Sequence, residues 1–241
     1  AINTMAVQTD GRLLVGGRFI SIGGQSRLRL ARLNSDGGID SSFQNPAIDG
    51  EVFAITLQAD GNILVGGNFD TVAGQPRNNV VRLHSNGSVD IDFVDPGATA
   101  EVYALTLQAD GKLLVGGDFR NLGGVARDFF ARVALTEPAL QSLDMHGGMV
   151  IWKRSGISQE LELPPTLSFS ATGGNYTALG PMTRVAGGWQ RSVSVPVGQF
   201  HYLRAEGRTG GGSGSQGLIR SVRQLWLDSD SVFTDGFDQG G

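Results

Sequence analysis

Along the first half of the chain, apolar residues come in short consecutive runs, cut at regular intervals by glycine-bearing polar turns. Stretches such as AITL and ILVGG are apolar on consecutive positions rather than alternating. Such runs mark strands buried on both faces, since a strand with one wet face alternates. Val52–Gln58 and Asn62–Gly67 flank Ala59-Asp60-Gly61, a tight hairpin signal because Asp and Gly tolerate positive φ. Asn79–His84 and Ser88–Phe93 predict a second hairpin around Ser85-Asn86-Gly87. The pattern therefore predicts a four-stranded unit with both faces covered by copies of itself.

Those copies are present in the sequence. EVFAITLQ at 51–58 returns as EVYALTLQ at 101–108, and more loosely as AINTMAVQ at 1–8. Asp-Gly pairs stand at 10–11, 60–61 and 110–111, and Gly-Gly pairs at 16–17, 66–67 and 116–117. Phe19, Phe69 and Phe119 recur with the same step, as do Arg27, Arg77 and Arg127, and Arg32, Arg82 and Arg132. The spacing is fifty residues throughout, without insertion. A four-stranded sheet repeated in this way reads as a β-propeller blade.

Gln58, Asp60-Gly61, Leu64-Val65-Gly66-Gly67, Phe69, Arg82-Leu83, Asn86-Gly87, Asp90 and Phe93 together resemble the bacterial delta-60 repeat. The resemblance covers residues 1–134 and implies a propeller-like fold in a large secreted or cell-surface protein. It brings no catalytic residue to this chain. The third copy departs after Val133, where Ala134–Ala139 replaces the Asn-Gly hairpin.

From Pro138 the fifty-residue step is lost and short strands continue. Met149–Arg154, Leu167–Ala171, Tyr176–Gly180, Gln190–Val195, Phe200–Glu206 and Leu218–Leu227 are separated by Gly- or Pro-bearing turns. Six or seven strands in this length predict a β-sandwich. Trp152 on an early strand and Tyr202 on a late one resemble the fibronectin type III pattern, with both rings expected in the core. The fold class is thus all-β. Residues 1–137 form a partial propeller-like array (1–50, 51–100 and a partial 101–134), 138–228 a fibronectin type III-like sandwich, and 229–241 an acidic, Gly-rich tail.

Composition narrows the function classes. The chain has 241 residues, 40% hydrophobic and 17% charged, with 37 glycines, as many tight turns require. A net charge of −4 and the lack of any basic run argue against nucleic acid. Having no cysteine excludes a disulfide scaffold and a thiolate metal site. No apolar run reaches the ~20 residues that span a bilayer. The start at Ala1, without Met or leader, is expected to be a processed or truncated end.

Several motifs have plainer readings. Gly212, Gly214 and Gly217 satisfy G-x-G-x-x-G, but LIRSVRQLWL after them alternates like a strand, so a loop is expected rather than a dinucleotide site. Asn34-Ser35-Asp36-Gly37 with Asp40 has the look of a calcium loop. The second copy offers only Asp90 as a carboxylate, which favours an Asx-supported hairpin. His84, His146 and His201 sit on different elements, and no serine lies in G-x-S-x-G. Catalytic, cofactor and metal residues are therefore none. Arg27, Arg77 and Arg127 could ring one face as anion donors, although identical recurrence favours a structural role. Arg77, Arg82, Arg127 and Arg132 are all expected to be partly buried and bonded to carbonyls or carboxylates. Trp189, in AGGWQ, is held open as a contact residue.

These readings converge on a non-catalytic exported or cell-surface protein that binds a macromolecule or glycan without a cofactor. The competing class is a fragment of a glycan-active propeller enzyme whose catalytic residues lie in other blades. Too few blades are present to close a ring, so an uncovered face at Asn3, Met5 and Val7 is expected, with self-association through it.

Overall fold

The computed structural model describes residues 1–108, 110–135, 139–146, 148–156, 158, 160–161, 163–185, 187–194, 199–210 and 216–227. The 229–241 tail and residues 211–215 of the glycine-rich loop lie outside them.

Each fifty-residue copy builds one antiparallel sheet and a two-residue-per-strand hairpin. The first contains β1 (Ile2–Val7), β2 (Leu13–Gly17), the pair β3 (Ser21–Ile22) and β4 (Gln25–Ser26), and β5 (Leu30–Leu33), with sheet order β1-β2-β5. The second repeats this with β6 (Glu51–Leu57), β7 (Ile63–Asn68), β8 (Thr71–Val72), β9 (Gln75–Pro76) and β10 (Val80–Leu83). The third does so with β11 (Val102–Leu107), β12 (Leu113–Gly117), β13 (Asn121–Leu122), β14 (Val125–Ala126) and β15 (Phe130–Val133). The three sheets have the same order, and β6 packs against both β1 and β11. The blades are therefore stacked face to face along their first strands, as in a sector of a propeller.

Each sheet has three strands rather than four. The run Ser88–Phe93 forms no ladder with β10 beyond the isolated bridge Leu83–Val89 and the Asp90 N–H to Arg82 carbonyl bond, and the first copy has the same pair at Leu33–Ile39 and Asp40–Arg32. The cause is Asp90. Arg82 Nε donates to its Oδ2 at 2.7 Å, while its Oδ1 accepts from the Asp92 N–H at 3.0 Å. Asp40 does the same with Arg32 and Ser42. An Asx turn bends the chain out of the sheet before a ladder can form.

The interiors lie between blades. Leu14 and Leu30 of the first blade pack with Val52, Ile63, Val81 and Leu83 of the second. Ala54, Leu64 and Val80 of the second pack in turn with Val102, Leu105, Leu113 and Phe119 of the third. Front and back faces of each sheet are both apolar, which explains the consecutive apolar runs. At the first blade the front residues Met5 and Val7 are 63% and 70% exposed, as the sequence led us to expect.

One backbone feature recurs with the blades. Arg29, Asn79 and Phe129 have φ of 66°, 67° and 65°. Asn79 suits this left-handed conformation, and its side chain accepts from the Phe69 N–H and donates to the Ala98 carbonyl. Phe129 has no such compensation, and a bulky L-residue there costs about 1–2 kcal/mol. Phe129→Asn is therefore expected to stabilise the chain by about 1 kcal/mol in urea denaturation, since asparagine tolerates this conformation. A loss of stability would show that stacking of Arg120 on the Phe129 ring, 4.7 Å to its centroid, outweighs the strain.

The remainder forms two four-stranded sheets. One joins β16 (Ala139–His146), β17 (Met149–Gly156), β20 (Thr183–Val185) and β21 (Gly188–Ser192) in the order β16-β17-β21-β20. The other joins β18 (Thr166–Ser170), β19 (Thr177–Pro181), β22 (Gln199–Gly210) and β23 (Gln216–Leu227) in the order β19-β18-β22-β23. Leu143, Val150 and Trp152 of the first sheet share one core with Leu167, Leu203 and Ala205 of the second, as a sandwich requires. Tyr202 departs from its expected place. It lies on the opposite face of β22 from Leu203, half-exposed, beside Gly173.

Candidate functional site

The turns that close the first hairpin of each blade lie on one rim. Gly11, Gly61 and Gly111 have φ of 82°, 89° and 81°, and Asp10, Asp60 and Asp110 accept from the N–H two residues on. The second domain docks on the second of these turns. Glu160 N–H donates to the Leu57 carbonyl at 3.2 Å, and Ala59 N–H donates to Ser158 at 2.6 Å.

Between the first two blades and this docked segment lies a cleft of about 460 Å³. Gln8, Asp10 and Arg12 come from the first rim turn, Leu57, Gln58 and Gly61 from the second, and Ser85 and Asn86 from the outer turn of the second blade. Arg32 and Ser42 also line it, as do Glu160 and Arg184 of the second domain.

The charges in the cleft are largely paired with one another. Arg184 holds Glu160 through two hydrogen bonds, of 3.0 and 2.9 Å, and lies over the Trp189 ring. Burial raises the Glu160 pKa above the ordinary value, against the pull of Arg184. Behind this pair, burial lowers the Arg154 pKa to about 10, and two of its guanidinium nitrogens have no partner among the described residues. Arg32 donates to Asp40 at 2.8 Å and to the Ser85 carbonyl at 2.6 Å. The Ser42 hydroxyl, with help from its backbone N–H and from Arg32, holds the Asp40 carboxyl at about 2 although burial opposes this. Arg12 reaches Asp10 and Asp40 only loosely, at 3.4 and 3.6 Å.

Gln58 is different. Its side chain is fully buried, yet neither Oε1 nor Nε2 has a hydrogen-bond partner among the described residues. Gln8, one repeat earlier, also has a buried, unpartnered Oε1 on the same cleft. A buried polar group without a partner costs about 1–3 kcal/mol. Both glutamines line the cleft, Gln58 with an unpartnered donor and acceptor and Gln8 with an unpartnered acceptor, while Arg32, Asp40, Glu160 and Arg184 beside them are paired. What this arrangement can hold best is a neutral, multiply hydroxylated or amide-bearing group.

The residues singled out from sequence lie elsewhere. Arg27, Arg77 and Arg127 share one pose, each donating to the carbonyl of the preceding residue at 3.1, 2.8 and 2.9 Å. None lines the cleft. Arg127, exposed, borders a second groove of about 400 Å³ beside Phe93 and Leu135, where the third copy lacks the Asn-Gly hairpin. Arg82 is buried and paired as expected, but Arg132 is exposed: the third copy has Leu140, in β16, at the position of Asp40 and Asp90, and no further blade of this chain covers this face. Trp189, held open as a contact residue, turns its ring inward. It is 3% exposed, pairs with Trp152 across β17 and β21, and belongs to the sandwich core. Asp36 accepts from the Gly38 N–H, an Asx turn, and Asp40 is committed to Arg32 and Ser42. Gly217 lies in β23, opposite Thr209. Among the described residues no three His, Asp or Glu side chains are grouped to hold a metal, and no helix is long and apolar enough to cross a membrane.

Sequence reasoning did not find Gln8, Gln58, Glu160 or Arg184. The fifty-residue recurrence of glutamine was visible, but recurrence alone does not show that the amide is unpaired. Residues 8–43, 58–93 and 108–135 match the family model of a domain of unknown function (DUF5122) described as a β-propeller. The matched segments open on Gln8, Gln58 and Gln108; Gln108, which does not line the cleft, likewise has a buried Oε1 without a partner among the described residues. No curated protein and no solved structure matches the chain.

Proposed function

We propose that this chain is a non-catalytic binding module of an exported or cell-surface protein, and that its cleft takes a glycan. The observation that carries the reading is the buried, unpartnered amide of Gln58. A carboxamide offers a donor and an acceptor side by side, which matches vicinal hydroxyls. Binding without catalysis is supported by Glu160, whose two oxygens are both taken by Arg184 and so are not free to serve as acid or base. Export rests on the likeness to the delta-60 repeat. A fibronectin type III-like second domain is supported by its strand order. Lettered in sequence order, the sheets read A-B-E-D and C′-C-F-G, the immunoglobulin-like arrangement.

The test is calorimetric titration of the 241-residue chain with maltohexaose, cellohexaose, xylohexaose and N-acetylchitohexaose. At least one is expected to bind, and Gln58→Leu to weaken it by tenfold or more, since a site built to hydrogen-bond a hydroxyl discriminates strongly against its loss. Binding unaffected by Gln58→Leu, or heat evolution from none of the four, would count against a glycan in this cleft.

A further inference from the structure

One row of side chains crosses the inner face of the β16-β17-β21-β20 sheet. Trp152 of β17 stands opposite Trp189 of β21, and Trp189 stands opposite Arg184 of β20. Arg154, two residues on from Trp152, lies on the same face, because side chains alternate along a strand. Each cation sits over a ring of this row. The guanidinium carbon of Arg154 is 5.5 Å from the Trp152 centroid, and that of Arg184 is 5.1 Å from the Trp189 centroid. Glu160 attracts both guanidiniums, but its oxygens are committed. Oε1 accepts from Arg184 and from the Leu161 N–H, and Oε2 accepts from Arg184. Arg184 and Glu160 thus neutralise each other, and the positive charge of Arg154 is left over.

Arg154 is only 2% exposed, so bulk water does not solvate this charge. Burial lowers its pKa to about 10, which still leaves the guanidinium charged at neutral pH. Its Nε and Nη1 have no hydrogen-bond partner among the described residues, and the indole nitrogens of Trp152 and Trp189 have none either. A buried charge is tolerated where it is paired and hydrogen-bonded. Four buried donor nitrogens and one uncompensated positive charge define what would satisfy them, which is a small anion. We infer that the Arg154 guanidinium, beside the indole N–H groups of Trp152 and Trp189, binds a monovalent anion of about the size of chloride. One negative charge completes the neutralisation. A divalent phosphate or sulfate would overshoot it and would carry a larger desolvation penalty. The site also bears on how the second domain is held. Next to it, the Glu160 N–H donates to the Leu57 carbonyl, and Arg184 reaches the Ala59 carbonyl at 3.4 Å. Arg154 does not line the cleft, so the inference does not rest on the glycan reading.

The test follows the melting temperature of the 241-residue protein as sodium gluconate is replaced by sodium chloride or bromide at constant ionic strength. Wild type is expected to rise saturably by about 5 °C or more, because an anion that binds only the folded chain adds its binding free energy to stability. Arg154→Met removes the charge and keeps an unbranched side chain in the core. Its melting temperature is expected to be the same in gluconate and in chloride. A second readout needs no variant. Anomalous scattering from wild-type crystals grown in sodium bromide is expected to show a bromide within hydrogen-bonding reach of Arg154 Nε or Nη1. Equal melting of wild type in gluconate and chloride would overturn the inference. So would a rise of the same size in Arg154→Met, which would place the anion elsewhere. Bromide crystals with no anomalous peak at Arg154 would overturn it as well, even if Arg154→Met fails to fold.

Discussion

Asp90→Ala is expected to destabilise the chain by about 3–5 kcal/mol in urea denaturation, because it leaves the buried Arg82 guanidinium without its carboxylate. The pair is short, 2.7 Å, and lies between stacked blades with both side chains almost wholly shielded. Arg82 also rests on the Phe93 ring, at 5.0 Å, so the charge cannot swing out to water without emptying that contact. The double change Arg82→Met with Asp90→Leu should restore most of the loss, since replacing a buried pair by apolar residues is often neutral or stabilising. Arg132→Ala, at the same position of the third blade but exposed, should stay within about 0.5 kcal/mol in the isolated monomer. An equal loss at Arg82 and Arg132 would show that the arginine matters through its own sheet rather than through blade stacking.

The same pairs set the response to acid. Burial favours the neutral form of Asp90, but the hydrogen bond and charge of Arg82 outweigh it, so its pKa is lowered, and that of Asp40 stands at about 2. A carboxylate depressed on folding contributes stability that is fully present above its unfolded pKa of about 3.9 and is lost as pH falls through the folded value. The melting temperature should therefore fall between about pH 4 and 2. Asp40→Asn should flatten that decline, and a decline of unchanged slope would assign the acid sensitivity to other groups.

Gly67→Ala is expected to cost at least about 3 kcal/mol, the upper end of what an overpacked methyl costs, because here it meets backbone and not a yielding side chain. The added Cβ would lie 2.0 Å from the Glu51 carbonyl oxygen, where β6 and β7 cross at a bulge. Gly17 and Gly117 meet the same obstacle, at 2.3 Å from the Ala1 oxygen and 2.0 Å from the Glu101 oxygen. Gly74→Ala separates this effect from backbone conformation. Its φ is +73° but nothing lies within 4 Å of the added methyl, so it should cost only about 1–2 kcal/mol. If the two substitutions cost the same, close approach of the backbone is not what requires glycine at position 67.

Much of the fold could be read from the repeat. Consecutive apolar runs gave stacked sheets, and the Asp-Gly pairs located each rim turn. The fourth strand was misread because Ser88–Phe93 has strand-like composition, while the turning residue, Asp90, acts through a side chain eight positions away. Trp189 followed Ala186-Gly187-Gly188 and so looked like part of a loop; its pairing with Trp152 joins residues too distant in sequence for local pattern to show. β16 and β20 were missed for a similar reason. Leu143 and Met145 face the core but Leu140 is exposed, and β20 has three residues. The cleft was the least legible feature. It draws on segments around 8–12, 32–42, 58–61 and 85–86 and on two residues of the second domain, and its defining property is that an amide lacks partners.

That property supplies the most direct test. If Gln58 is kept for a ligand, the unliganded protein bears the cost of its unpaired amide, and Gln58→Leu or Gln58→Met should raise stability in urea by about 1–3 kcal/mol. If the amide instead holds the first two blades and the second domain together, both substitutions should lower stability. A loss of 1 kcal/mol or more in both variants would contradict the assignment of the cleft as a binding site.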